Sequence, residues 1–435
     1  MRRVVLPLLL AAATACDDPA APARPPAPAE RVILITCDTL RADRLGCYGY
    51  DRPVSPNLDA FARQATLYES AWSSAPLTSP ALSSLMTGLL PQELGVTDDN
   101  RQFMPASVET LAEAVSAAGL PTGAVVSNWV LRRPDPADGD VGLPQGFDEF
   151  DDRMTHREAN RRKFFDRLAP ETADAAIAWL EQRLAADEER FFLWVHFQDP
   201  HGPYTAPDEY VQELARPPDD EPPLRLGSSG KGFGQLPKYQ ALGDERRPSV
   251  YRDRYDAEIR YFDEHVGRLL QWLSERGLTD DALIVVTADH GESLGEHDFW
   301  FCHGENVHRE VVRVPLIVRF PRRAPGAGPA AGARRSELVG HLDLFPTVLA
   351  ALGLPPRPLR GRSLLEPAAP PGRVLSQGLG APGDPKEWHG LTDGRWHLVV
   401  QAGQPPRLYD LESDAKEQRD VAGEQAQRVA ELERL

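Results

Sequence analysis

The chain has 435 residues, of which 41% are hydrophobic and 26% are charged, and its net charge is −17 at pH 7. This length is enough for one large α/β domain with an additional unit, or for two domains. The acidic residues are dispersed and no basic stripe is present, so the composition excludes a nucleic-acid partner.

The N-terminus is predicted to be an export signal. Residues 1–16 combine two arginines, a short apolar run and small residues before a cysteine. Ala13-Thr14-Ala15-Cys16 resembles a bacterial lipobox, which predicts lipid attachment at Cys16; the alternative is cleavage after Ala15 that leaves the thiol free. Residues 17–30 are rich in proline and alanine and are predicted to be an extended linker. We therefore expect an exported protein of the periplasm or cell envelope, held at the membrane only through the lipid anchor.

Strands and helices alternate over most of the remaining chain, which predicts an α/β fold with a mostly parallel sheet covered by helices. The predicted strands are Arg31–Cys37, Thr122–Ser127, Phe191–Phe197, Ala282–Ala288 and Val314–Phe320. The predicted helices are Asp59–Ser70, one that begins around Thr78–Pro80, Val108–Ala118, Pro170–Ala185, Asp253–Glu275 and Leu342–Leu352. Residues 205–249 are predicted to form a long surface excursion over the functional site that is described below. The domain prediction is 31–355 for the main domain and 356–435 for a small C-terminal subdomain.

Polar side chains follow four of these strands, at the point where each strand ends. They are Asp38; Asn128; His196 with Asp199 and His201; and Asp289 with His290. Because the carboxyl ends of parallel strands form one edge of a sheet, we expect most of these groups to face one crevice. His196 lies inside an apolar run and is interpreted instead as a hydrogen-bonded core histidine.

A threonine at a helix start completes the predicted site. Thr78 precedes Pro80, which suits a first helical turn, and the exposed N–H groups there favour an anion. The pattern predicts a metal-assisted attack on a phosphate or sulfate ester. In that hypothesis Asp38, Asp289 and His290 hold a divalent cation, and Thr78 coordinates it through its hydroxyl and acts as the nucleophile.

Six short motifs occur in order along the chain: Asp38-Thr-Leu-Arg-Ala-Asp-Arg-Leu-Gly-Cys-Tyr-Gly49, Ser55-Pro-Asn-Leu-Asp59, Leu85-Met-Thr-Gly88, Asp199-Pro-His-Gly-Pro203, Thr287-Ala-Asp-His-Gly291 and Leu344-Phe-Pro-Thr347. Together they resemble the sulfatase family of the alkaline phosphatase superfamily. The resemblance implies an alkaline-phosphatase-like fold, with a large, mostly parallel central sheet flanked by helices and a small C-terminal subdomain. It also implies a metal-dependent ester hydrolase.

The chain departs from the family pattern at the nucleophile. Sulfatases carry a cysteine or serine that is converted to formylglycine, whereas this chain has Thr78, and oxidation of a secondary alcohol gives a ketone rather than an aldehyde. Asp38-Thr39 replaces a pair of aspartates, Asn128-Trp129-Val130 replaces Lys-Trp-His, and His303 replaces a lysine. The set resembles the threonine-nucleophile branch, which includes phosphoethanolamine and glycerophosphate transferases.

That branch implies one divalent ion, with Mn²⁺ or Zn²⁺ favoured and Ca²⁺ as the alternative. In the enzyme hypothesis, His201 and His303 act in catalysis and, with Asn128, bind the substrate anion. His297 and His308 are interpreted as surface groups.

Two functions remain open from the sequence. The first is an exported hydrolase or transferase of phosphate or sulfate esters, with phosphate favoured, that acts on a small-molecule or envelope ester. The second is a catalytically inactive lipoprotein of the same fold that binds an anionic envelope glycan or lipid head group.

Overall fold

The computed structural model describes residues 27–99, 104–133, 142–217, 220–322, 330–367, 372–378 and 386–434. The predicted signal segment, Cys16 and most of the predicted linker lie outside these residues. Ala29, at the end of that linker, is buried, and its N–H donates to the carbonyl of Ala351 at 2.7 Å. Within the described ranges, no helix is both long and apolar enough to cross a bilayer.

The strands of the described residues form one large sheet and three small ones. They are β1 Arg31–Cys37, β2 Thr66–Trp72, β3 Thr122–Val126, β4 Glu149–Asp151, β5 His156–Arg157, β6 Phe165–Asp166, β7 Phe191–Phe197, β8 Ala282–Ala288, β9 Ser293–Leu294, β10 Trp300–Cys302, β11 Arg313–Val314, β12 Leu316–Arg319, β13 Arg334–Gly340, β14 Val374–Gln377, β15 Trp388–Thr392, β16 Trp396–Gln401 and β17 Arg407–Asp410. The large sheet has the order β11-β2-β12-β8-β1-β7-β3-β4, and β13 pairs with β2.

The large sheet is mostly parallel, as predicted. Strands β8, β1, β7, β3 and β4 are mutually parallel neighbours, whereas β12 is antiparallel to both β8 and β2. Every residue of β1, β7 and β8 is buried, which explains why these strands are continuous apolar runs rather than alternating ones.

Helices flank this sheet. They are α1 Pro56–Ala62, α2 Thr78–Thr87, α3 Pro91–Leu94, α4 Leu111–Ser116, α5 Ala169–Ala185, α6 Asp208–Leu214, α7 Pro248–Glu275, α8 Arg309–Val312, α9 Leu344–Leu352 and α10 Ala426–Leu432. The long helix α7 packs against α1, α5 and α6, and α9 packs against α2 and β1.

The second half of one predicted helix is wrong. Helix α1 ends at Ala62, and the rest of the predicted segment Asp59–Ser70 enters strand β2. Thr66, Leu67 and Tyr68 are buried there because β2 pairs with both β12 and β13. Tertiary pairing of a β-branched and aromatic stretch overrides the local helical pattern.

Strands β14–β17 form a separate antiparallel sheet, which confirms the predicted small C-terminal subdomain. One buried carboxylate joins it to the main domain. His308 Nδ1, directly before α8, donates to Glu417 Oε2 at 2.7 Å, and His397 Nδ1 of β16 donates to Oε1 at 2.5 Å. The prediction that His308 is a surface group is therefore wrong, because this C-terminal segment covers it; His297 is half-buried and its ring stacks on that of His308 at 3.7 Å.

A buried histidine at the end of β13 predicts acid lability. Burial lowers the pKa of His341 to about 4, while an unfolded histidine titrates near pH 6.5. Below about pH 6.5 the unfolded chain takes up this proton first, so stability falls as the pH approaches 4. We expect His341 to account for a loss of about 2 kcal/mol in the free energy of unfolding between about pH 7.5 and pH 5.

Urea unfolding at both pH values, with a chelator present, measures this loss. His341→Gln should show a smaller pH dependence than the unaltered chain. An equal pH dependence in the two proteins would contradict the prediction.

Candidate active site

Two carboxylates lie side by side at the carboxyl edge of the sheet. Asp38 follows β1 and Asp289 follows the neighbouring β8, and both are fully buried. The ladder continues one residue past the strands, since the Asp289 N–H donates to Cys37 O at 3.2 Å and the Asp38 N–H donates to Phe197 O at 3.0 Å. The backbone therefore holds both side chains at the same level of the edge.

His290 presents an unprotonated nitrogen to these carboxylates. Its Nδ1 lies 2.9 Å from the carbonyl of Gly291, and because a carbonyl can only accept, Nδ1 carries the hydrogen. The remaining nitrogen, Nε2, lies 3.8 Å from Asp38 Oδ1, 3.6 Å from Asp289 Oδ2 and 3.3 Å from Thr78 Oγ1. The four predicted metal-ligating residues are therefore brought together.

Each carboxylate has one oxygen held by the protein and one left over. Asp38 Oδ2 accepts a hydrogen bond from Asn128 Nδ2, and Asp289 Oδ1 accepts from the N–H groups of Thr39 at 3.1 Å and His290 at 2.6 Å. Asp38 Oδ1 and Asp289 Oδ2 are buried and find no hydrogen-bond partner among the described residues. One divalent cation would fit the ligands that result, which are these two unpaired oxygens, the lone pair of His290 Nε2 and the Thr78 hydroxyl.

The ionisable groups at the carboxyl edge of the sheet lie close to one another, which shifts their pKa values. Burial, followed by the charge of Asp289, raises the pKa of Asp38 well above its usual range, and burial raises the pKa of Asp289 to about 7. Burial and the proximity of His303 lower the pKa of His290, so its ring stays neutral. A cation would offset the repulsion between the two carboxylates, which supports the fit.

Thr78 is the first residue of helix α2. The helix was predicted to begin around Thr78–Pro80; Leu77 occupies its cap position, and the Ala81 N–H closes the first turn onto the Leu77 carbonyl at 3.0 Å. The Ser79 N–H donates to Asp99 Oδ1 at 2.8 Å. Asp99 was not predicted, because it lies in an irregular loop with no recognisable pattern.

Two further imidazoles adjoin His290. The ring of His303 lies 4.6 Å from that of His290 and 5.2 Å from that of His201, between ring centres. His303 Nδ1 lies 3.3 Å from Oε2 of the fully buried Glu292, so Nδ1 carries a hydrogen and Nε2 is left for a substrate. Sequence reasoning missed Glu292, although it follows His290 by two residues.

The two imidazoles differ in their affinity for a proton. Burial opposes protonation of both rings. The adjacent Glu292 charge outweighs burial and raises the pKa of His303, whereas burial and the positive charge of Arg161 lower the pKa of His201. His303 is therefore the better proton donor of the pair.

Asn128 lies against Asp38. Its Nδ2 donates to Asp38 Oδ2, and its Oδ1 accepts from the Val130 N–H at 2.9 Å. One end of its amide thus orients Asp38 and the other is held by its own turn, and its contact with a substrate stays a prediction. The excursion of residues 205–249 also reaches the site, as expected, since the ring of Tyr239 stacks on His201 at 6.0 Å.

Comparisons with known proteins agree with the family resemblance of the sequence motifs. The family model described as Sulfatase matches residues 30–354. The uncharacterized sulfatase YidJ of Escherichia coli (strain K12) is 25% identical and the match covers 89% of this chain and 82% of that protein. Choline-sulfatase of Rhizobium meliloti is 26% identical, with 90% and 82% covered. The crystal structure of a phosphonate monoester hydrolase of Agrobacterium radiobacter shares the fold, with a TM-score of 0.72 at 23% identity over 92% of this chain and 93% of that one.

The family match spans the sheet and every residue of the site described above, from Asp38 to His303. The separate C-terminal sheet follows the matched region. The chain therefore belongs to the sulfatase family of the alkaline phosphatase superfamily and is a hydrolase of sulfate or phosphate esters.

Proposed function

We propose that this protein is an exported phosphoesterase that uses Thr78 as its nucleophile. The observation that carries the proposal is the position of Thr78 Oγ1, which lies at the start of α2 and 3.3 Å from His290 Nε2, beside two buried carboxylates with orphan oxygens. Asp38, Asp289, His290 and Thr78 would hold one divalent ion, for which their oxygen and nitrogen donors favour Mn²⁺ or Zn²⁺ over Ca²⁺. When bound, that ion lowers the pKa of the Thr78 hydroxyl and stabilises the charge that develops on the ester.

The reaction proceeds in two displacements. Thr78 Oγ1 loses its proton to solvent and attacks phosphorus, the bond from phosphorus to the ester oxygen breaks, and that oxygen takes a proton from His303 Nε2. Water then attacks phosphorus, the bond from phosphorus to Thr78 Oγ1 breaks, and His303 accepts a proton of the water while Thr78 Oγ1 regains its proton from solvent. The Glu292 carboxylate keeps His303 oriented and favours its protonated form before the first step.

The nucleophile favours phosphate over sulfate. A hydrated formylglycine releases sulfate by collapse of a hemiacetal, and a threonine ester has no second hydroxyl with which to do this. A phosphothreonine can instead be resolved by in-line attack on phosphorus. An acceptor alcohol in place of water would turn hydrolysis into transfer.

Export and lipid attachment at Cys16 belong to the same proposal and rest on the sequence alone. They would place the site in the periplasm or cell envelope, where a small-molecule or envelope phosphate ester is the substrate. The inactive, ligand-binding protein remains the second candidate.

Initial rates on paired chromogenic esters test the proposal. With Mn²⁺ or Zn²⁺ bound, we expect turnover of nitrophenyl phosphate mono- or diesters and little or none of nitrophenyl sulfate. Acid quench and mass spectrometry should detect phosphate on the peptide that contains Thr78. Rapid sulfate turnover with an unmodified Thr78 would overturn the proposal, and metal binding without any turnover would favour the second candidate.

A further inference from the structure

His196 lies directly beneath the metal-binding edge. It sits on β7 in register with Thr36 of the neighbouring β1, so both side chains occupy the same face as Asp38, two residues further along β1. The ring is fully buried. Its Nδ1 lies 2.9 Å from Thr36 Oγ1.

A tryptophan sets the direction of this hydrogen bond. Trp194 Nε1 donates to Thr36 Oγ1 at 2.9 Å, and an indole N–H can only donate. The Thr36 hydroxyl then has its own hydrogen to place, and His196 Nδ1 is the acceptor beside it. If Nδ1 were the donor instead, the hydroxyl hydrogen would be buried without an acceptor, which is costly. His196 Nδ1 is therefore the acceptor, and the ring carries its hydrogen on Nε2.

That Nε2 hydrogen has no acceptor in the part of the chain that the structure describes. A ring nitrogen of His196, one oxygen of Asp38 and one oxygen of Asp289 all lie within 4.8 Å of one another. Since Nδ1 is engaged with Thr36, Nε2 is the nitrogen left for the carboxylates. An orphan donor thus shares a small buried volume with orphan acceptors.

We propose that, in the metal-bound protein, His196 is a positioning residue that donates a hydrogen bond from Nε2 to one of the metal-ligating carboxylates, and that it is not itself a metal ligand. The inference rests on the metal site of the proposed function. A hydrogen bond of this kind favours the ionised carboxylate and fixes the direction of its free oxygen, and outer partners of this type typically contribute about 10- to 100-fold to metal affinity.

Metal titration calorimetry of the full-length protein, with Mn²⁺ and Zn²⁺ as probes, distinguishes donor from ligand. His196→Gln keeps an N–H donor near the position of Nε2, and we expect its dissociation constant to stay within about threefold of the unaltered value. His196→Phe has no donor and should bind about 10- to 100-fold more weakly. Equal, large losses in both variants would identify a ligand, and an unchanged affinity in His196→Phe would show that the ring is only packing; either result overturns the proposal.

Nitrogen NMR of histidine-labelled protein reads the position of this hydrogen directly. We expect an N–H at His196 Nε2 and a bare Nδ1 in the unaltered chain. A bare Nε2 in the unaltered chain would contradict the proposal. These readouts need no turnover, so the inference stands or falls separately from the catalytic part of the proposed function.

Discussion

Thr78→Ala is expected to lower kcat on phosphate esters by about 10⁴-fold or more, because it removes the only atom of residue 78 that can bond to phosphorus. Thr78 is 2% exposed, and alanine fits the same space, so the fold should remain intact. Thr78→Ser restores a hydroxyl and should recover most of the activity. Stopped and continuous rates on a nitrophenyl phosphodiester measure all three proteins.

Thr87→Ala is the matched control for this experiment. Thr87 ends the same helix, is equally buried, and its hydroxyl donates to the Ser83 carbonyl at 2.7 Å. Its loss should cost some stability but leave kcat unchanged. Full activity in Thr78→Ala, or an equal loss in both variants, would remove Thr78 from the role of nucleophile.

Asp289→Asn and His290→Ala are expected to abolish most stoichiometric metal binding. A site with about four protein ligands tolerates the loss of one poorly. Among the described residues, Asp289 Oδ2 has no hydrogen-bond partner, and His290 Nε2 has Thr78 Oγ1 as its hydrogen-bond partner. Elemental analysis after dialysis should find close to one equivalent in the unaltered protein and far less in either variant. A chelator should lower the melting temperature of the unaltered protein only, because only that protein gains stability from the bound ion.

Asp263→Asn provides the control for charge and burial. Asp263 is a fully buried carboxylate that accepts hydrogen bonds from the N–H groups of Asn57 and Leu58 at the start of α1. This variant should be less stable and yet bind a full equivalent of metal. If Asp289→Asn and His290→Ala both kept their metal, the ion would belong to another part of the chain.

The sequence was enough to predict that the site residues lie together, because this depends on strand direction alone. Asp38 and Asp289 each follow a continuous apolar run, and such runs are central parallel strands whose ends coincide. Thr78 was found from a different local pattern, since Pro80 suits the first turn of the helix that begins there. These patterns are local and do not require knowledge of which strands are neighbours.

The sequence could not predict which polar side chains of the site contact each other. Asn128 and Asp38 meet although β3 and β1 are separated by β7, and strand order cannot be read from one sequence. Glu292 lies in a short turn whose direction decides whether it faces His303 or solvent. Strand β2 was misread as helix for the related reason that its partners β12 and β13 are more than 200 residues away in the chain.

Glu417 has a consequence for how the molecule unfolds. It comes from the last segment of the chain, yet it receives hydrogen bonds from His308 and from the N–H of Arg309 in the main domain, as well as from His397 in the C-terminal sheet. If that sheet came apart alone, the main domain would lose the hydrogen bonds from His308 and Arg309 to Glu417, and His308 would be uncovered a few residues from His303. The main domain and the C-terminal sheet are therefore thermodynamically coupled, and heating should unfold them in a single cooperative transition. The active-site edge should not stay folded after the C-terminal strands have unfolded.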